Sequence, residues 1–149
     1  MSANSRLTVA VHILSWMALV ARKRADPVTS ERIALSVNTN PVVIRRTLGL
    51  LHKAGLVRSH RGVNAGWTLA KSAAAITLRD VSAALEQEGP FGLHASPPNP
   101  GCPVGRGIQP ALSRVYGSLD HLIQQHLART TIEQVLADTL SMTPGSNGI

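Results

Sequence analysis

Acidic residues are scarce in this chain, eight Asp and Glu against fifteen Lys and Arg in 149 residues, and between Glu31 and Asp80 there is none at all. That interval nevertheless holds Arg32, Arg45, Arg46, Lys53, Arg58, Arg61, Lys71 and Arg79. A one-sided basic block inside a foldable segment is the electrostatic footprint of a surface that binds polyanions. The net charge of +7 and a pI near 11.1 point the same way, although charge alone does not separate nucleic acid from a membrane surface. A solvated basic face without a partner is the plainer alternative.

Cysteine is almost absent. Cys102 stands alone, which excludes an intrachain disulfide framework and gives no sign of secretion. Long hydrophobic runs are missing as well. The most apolar stretch, Leu7 to Ala21, is interrupted by Thr8, His12 and Ser15 and falls short of the ~20 residues a membrane helix needs. Its Val9, Ile13, Trp16, Leu19 and Val20 recur at helical spacing, and Arg22-Lys23-Arg24 suits a helix C-terminus better than a signal cleavage site. This predicts a core helix, no membrane partner and a cytoplasmic protein.

Catalytic signatures are also lacking. No Ser/His/Asp grouping, metal-ligand spacing or glycine-rich phosphate loop is present, and the histidines are scattered at positions 12, 52, 60, 94, 121 and 126. His121 and His126 are five apart rather than the four of a helical metal pair, so an enzyme is not expected. What is present is a foldable composition, 44% hydrophobic and 15% charged, enough for one domain with a real core.

Start and stop signals then divide the chain. After the Asp26-Pro27 break, Thr29 is an N-cap with Glu31 in the first turn, and Val28 with Ile33 is spaced as a hydrophobic staple, predicting a short helix to about Val37. Asn40 caps a third helix with Pro41 at its first position, running to about Ala54 and ended by Gly55. Two helices joined by so short a turn outline a helix-turn-helix. At 100° per residue, Ile44, Leu48 and Leu51 stack on one side of the third helix, while Val42, Arg45, Arg46, Gly49, His52 and Lys53 gather on the other. The apolar side packs, and the basic side suits a major groove, where Arg pairs with guanine and Lys meets phosphate. An ordinary amphipathic surface helix would show the same sorting.

The segment that follows favours the groove. Leu56 to Ser59 and Trp67 to Leu69 read as short strands around the turn-rich His60 to Gly66, a β-hairpin wing with Arg61 at its tip beside Gly62. Such a tip carries a guanidinium to a phosphate or into a minor groove, whereas Trp67 at the hairpin base reads as core. Thr77 and Asp80 then start a helix ending near Gly89-Pro90, with Ile76 and Val81 as its staple. Residues 89–107 form a Pro/Gly-rich loop. Beyond it Ile108, Leu112, Val115, Leu119 and Leu122 are spaced four, three, four, three, the seam of a dimerising helix, unless that helix packs on its own chain. Thr131 starts a last helix through Leu140, and Ser141 to Ile149 reads as a frayed tail.

This order of elements resembles the Rrf2 family of bacterial transcriptional regulators over most of the chain. The most specific match is Leu51 to Ala70, where Arg61-Gly62 and Ala65-Gly66-Trp67 look like the family's basic-Gly pair and Gly-Gly-aromatic turn, with Ala65 in place of a glycine and Trp67 in place of a tyrosine. Thr77 to Val81 looks like the helix start after the wing, and Asn40 to Arg46 takes the place of the recognition helix.

The resemblance implies a mainly α fold with a small β-hairpin wing, with a winged helix-turn-helix over 1–88, a sensor loop over 89–107, and dimerisation and C-terminal helices over 108–149. It implies a repressor that binds double-stranded DNA as a homodimer on a palindromic operator. The expected DNA-contacting set is Thr39, Asn40, Val42, Arg45, Arg46, Gly49, His52, Lys53, Arg58, His60, Arg61 and Gly62, with Arg61 in the minor groove.

Iron-sulfur members of the family carry three loop cysteines. One cysteine, even with His94, supplies too few ligands, so no cofactor is expected. In other members a lone loop cysteine is a redox switch, a role the resemblance offers to Cys102. Its place ahead of a helix and near Arg106 suits a reactive thiol, while an inert loop residue is the alternative. An unknown small-molecule effector at the loop–helix junction, or a winged helix used only for protein contacts, remain as other readings.

Overall fold

A computed structural model describes residues 5–142. The chain runs α1 (Arg6–Ala21), α2 (Ser30–Val37), α3 (Pro41–Lys53), β1 (Val57–His60), β2 (Gly66–Leu69), a 3-10 turn (Ala73–Ala75), α4 (Leu78–Ala84), α5 (Pro103–Leu127) and α6 (Ile132–Ser141). The mainly helical fold with a two-stranded hairpin is thus the one expected. Of the frayed tail expected over Ser141 to Ile149, Ser141 is instead the last residue of α6 and 143–149 lie outside the described residues.

α1 is apolar on more than one side and forms the centre. Its Ala10, Ile13, Leu14, Met17, Ala18 and Val20 are buried, and α2, α3, α4, α6 and β2 all pack against it. Each surrounding helix turns one apolar stripe to this core: Ile33 and Ala34 from α2, Ile44, Leu48 and Leu51 from α3, Val81 and Ala84 from α4, Ile132 and Leu136 from α6. α6, grouped with α5 on sequence, therefore belongs to the same core as the winged helix.

Most helix starts follow local chemistry. Thr29 Oγ1 accepts from the Arg32 amide, and Asn40 Oδ1 accepts from the Val42 amide. Thr77 with Asp80 and Thr131 with Gln134 each close a reciprocal capping box. These last two starts also pair with each other, since Leu78 N–H donates to Thr130 O and Ile132 N–H donates to Ile76 O. The pairing brings α6 back onto α1 after α5 has left the core.

Two boundaries differ from the sequence expectation by more than one residue. α4 ends at Ala84 rather than near Gly89-Pro90, because Leu85 turns into the core and Glu86 takes a left-handed φ of 51° that reverses the chain. α5 begins at Pro103, five residues ahead of Ile108, with Cys102 as its N-cap. Proline suits this first position because its missing amide would have no helical partner there. Gly105 is needed as well, since a Cβ at that residue would stand 2.3 Å from the Asn99 carbonyl oxygen. The loop thus closes onto the first turn of α5. Pro110 lies inside the helix and removes the amide that would have bonded to the Arg106 carbonyl.

The hairpin is held at its base by Val28, expected from sequence only as half of a hydrophobic staple. Val28 and Trp67 exchange backbone hydrogen bonds, Val28 N–H to Trp67 O at 3.0 Å and Trp67 N–H to Val28 O at 2.8 Å. Gly66 permits this approach: its φ is 151°, and a Cβ there would meet the Val28 carbonyl oxygen at 2.6 Å and carbon at 2.8 Å. Both colliding atoms are backbone and cannot rotate away. Gly66→Ala is therefore expected to destabilise the fold by about 1–3 kcal/mol, lowering Tm by several degrees. Thermal denaturation followed by circular dichroism measures this, and an unchanged Tm would contradict the close approach.

Candidate nucleic-acid interface

The geometry of α3 follows from which side is buried. Ile44, Leu48 and Leu51 are fully inaccessible and Thr47 is buried, its hydroxyl donating to the Val43 carbonyl. Arg45, Arg46, Gly49, His52 and Lys53 are all exposed, as is Val42 at 49%. Asn40 is exposed at the N-cap, and Thr39 is half-buried in the turn, its amide donating to the Ala34 carbonyl. The helix-turn-helix residues named from sequence therefore lie on the outward face of α3 and at its start.

The helix ends in a pattern that aims the wing. Gly55, at φ 78°, donates to the His52 carbonyl, and Leu56 N–H donates to the Leu51 carbonyl, a Schellman motif whose buried Leu51 and Leu56 flank the left-handed residue. β1 and β2 then pair with Val57 opposite Leu69, Arg58 opposite Thr68, Ser59 opposite Trp67 and His60 opposite Gly66. At the tip Gly62 and Asn64 both have positive φ, and Ala65 N–H donates to Gly62 O. Arg58, His60, Arg61 and Gly62 are exposed.

The two histidines of the expected set are less free than the arginines. His52 Nδ1 donates to the Val57 carbonyl at 3.1 Å, and its ring meets Trp67 edge-on at 6.1 Å. It ties α3 to the hairpin. His60 Nε2 is hydrogen-bonded to Thr68 Oγ1 across the strands at 2.8 Å. Only two salt bridges occur among the described residues, Arg22–Glu133 and Arg45–Glu31, each at 2.9 Å. Arg46 and Lys53 on α3, and Arg58 and Arg61 on the hairpin, are thus exposed without an acidic partner among the described residues. The Arg45–Glu31 pair was missed on sequence, where Glu31 served only as a helix-start signal. Its 14-residue separation carries no periodic mark.

The dimer-seam residues divide. α5 buries none of its side chains. Ile108 and Leu112 are half-buried and, with Gly92, Leu93, His94 and Gln109, line a hollow of about 280 Å³ under the loop. Val115, Leu119 and Leu122 are exposed, together with Ile123 and Val104. Phe91 lies against Tyr116 with ring centroids 5.3 Å apart, fastening the loop to the helix. Cys102 is exposed.

Among the described residues no three His, Cys, Asp or Glu side chains approach closely enough to hold a metal ion, and no helix is long and apolar enough to cross a membrane.

Comparison with known proteins agrees with this architecture. The family model described as "Iron-dependent Transcriptional regulator", Rrf2, matches residues 3–138. YwnA of Bacillus subtilis (strain 168), assigned as an HTH-type transcriptional regulator, is 43% identical over 134 residues, spanning 89% of this chain and 96% of its own. A crystal structure described as that of a DNA-binding protein is 39% identical, with a TM-score of 0.71 over 89% of this chain and 99% of its own. IscR of T. potens, 21% identical, shares the fold, with a TM-score of 0.70 over 99% of this chain and 93% of its own.

The iron in the family description finds no matching ligand set here, because the sole thiol is an exposed helix cap without neighbouring ligands among the described residues. With the winged helix-turn-helix, the family match over 3–138 and a 43% identical regulator in agreement, this chain belongs to the Rrf2 family of transcriptional regulators.

Proposed function

We propose that this protein is a sequence-specific DNA-binding repressor that grips a palindromic operator as a homodimer. The observation that carries this reading is the set of exposed cations Arg46, Lys53, Arg58 and Arg61, unpaired among the described residues. Gly49 adds to it. A glycine inside a helix costs about 1 kcal/mol relative to alanine, yet a Cβ at Gly49 would meet nothing within 4 Å. The chain's own packing gives no reason for it, whereas a partner lying close against the outward face of α3 does. A protein-interaction module would not call for four uncompensated exposed cations on α3 and the hairpin that follows it.

Each phosphate neutralised by such cations releases counterions, so log affinity falls by about 0.9 per contact per log unit of salt. Binding to duplex DNA is expected to weaken steeply between low and physiological salt. Arg61→Ala should reduce both affinity and slope while changing folding stability by no more than the ~0.5 kcal/mol of surface substitutions. Fluorescence anisotropy across a salt series measures this, and a flat response would exclude DNA as the partner.

Dimerisation is supported by α5, a 25-residue helix with no buried side chain and with Val115, Leu119 and Leu122 open to solvent. A second copy of the same helix would cover that stripe and set two α3 helices about 34 Å apart, or further for a wider site. Leu119→Lys places an ammonium in the stripe and should yield a folded monomer in sedimentation at micromolar concentration. A variant that still dimerises would exclude this interface.

Redox control is a second part of the reading, favoured by the exposure of Cys102 and its place directly before α5. Oxidation there adds a polar group at the start of the dimerising helix, from which a small shift reaches both wings. Peroxide should change the DNA affinity of the wild type reversibly and leave Cys102→Ser unaffected. An equal response in both proteins would remove the role.

A further inference from the structure

Arg45 differs from the other cations of the outward face because it alone among them is paired. Its Nη1 donates to Glu31 Oε1 at 2.9 Å, with both side chains about half exposed. Glu31 occupies the first turn of α2 and borders an open hollow of about 660 Å³ shared with Thr39, Asn40 and Pro41, which places it beside the N-terminus of α3. The neighbouring Arg32 also lines this hollow and has its guanidinium 5.9 Å from the centre of the Trp16 ring on α1, without an acidic partner among the described residues. Arg46, next along α3, has no acidic partner among the described residues.

An exposed ion pair of this kind contributes little to folding. Its effect falls on Arg45. A guanidinium carries five N–H donors in a fixed plane, and with Nη1 engaged, the adjacent Nε and Nη2 donors remain as a two-pronged edge. That edge matches the O6 and N7 acceptors of guanine in the major groove. The carboxylate also repels a phosphate, so the same position is unfavourable for non-specific backbone contact.

We infer that Glu31 is a specificity-determining residue, which positions Arg45 to read one guanine and discourages its use as a phosphate clamp. This rests on the DNA-binding reading above. In it, Arg45 and Arg46 divide the work: the paired arginine reads a base, and the unpaired one holds the backbone.

The test uses the full chain and a duplex selected by the wild type from a randomised library, with every base pair of that duplex then varied singly. Glu31→Gln should lose discrimination by about tenfold at one base-pair position, bind random-sequence duplex several-fold more tightly, and steepen its salt slope by about 0.9. Glu31→Asp keeps the charge but is one methylene short of the contact, so it should lose the same base preference with the wild-type slope. In an Arg45→Ala background, Glu31→Gln should change nothing further at that base pair. Unaltered base preferences in a folded Glu31→Gln variant would overturn the inference, whether or not the slope changes, because charge without positioning would then be acting. Failure of the wild type to enrich any duplex is a different result. It would overturn the DNA-binding reading itself and this inference with it.

Discussion

Three aliphatic side chains, Ile44, Leu48 and Leu51, hold α3 against the core, and the direction in which every cation of that helix points follows from their burial. Each is fully inaccessible, so truncating any one to alanine would cost about 2–5 kcal/mol. Because they occupy a single stripe, they leave the helix only one rotational setting. Arg45, Arg46, Gly49 and Lys53 are then turned outward by geometry. The basic face is a consequence of the apolar one.

The wing inherits its position from the same helix. The Schellman turn at Gly55 fixes the exit from α3, His52 bonds to the first strand, and Val28 pairs with Trp67 at the base of the second. Helix, turn and hairpin are joined at three points rather than hinged at one. A surface intended for a rigid, charged groove benefits from this, since cations held in place lose less freedom on binding. α5 follows the opposite rule. It leaves the core after a loop pinned by Asn99 against Gly105 and by Phe91 against Tyr116, and it carries Val115, Leu119 and Leu122 exposed.

Features governed by near neighbours in the sequence were legible there. The caps at Thr29, Asn40, Thr77 and Thr131 each act over three residues or fewer, and the face of α3 follows from helical period alone. What escaped depends on residues far apart in the chain. The early end of α4 depends on Leu85 entering the core, and the early start of α5 depends on the room Gly105 leaves for Asn99. The return of α6 to α1 depends on the pairing of Thr77 with Thr131. In the site, the exposure of Arg46, Lys53, Arg58 and Arg61 agrees with the expectation. The anchoring of His52 and the pairing of Arg45 required the fold. A glycine immediately before Trp67 was the one available hint of the Val28 contact, since glycine within a strand often marks the close approach of another backbone.

The central claim is that the outward face of α3 and the hairpin together form the DNA-binding surface. Amide hydrogen exchange of the full chain, with and without duplex DNA, addresses it residue by residue. The account predicts slowed exchange at the start of α3, around Asn40 to Val43, and at the wing tip around His60 to Ala65, with the α1–α6 core unchanged. Protection confined to α5 and the loop before it, with α3 and the wing unaffected, would contradict it.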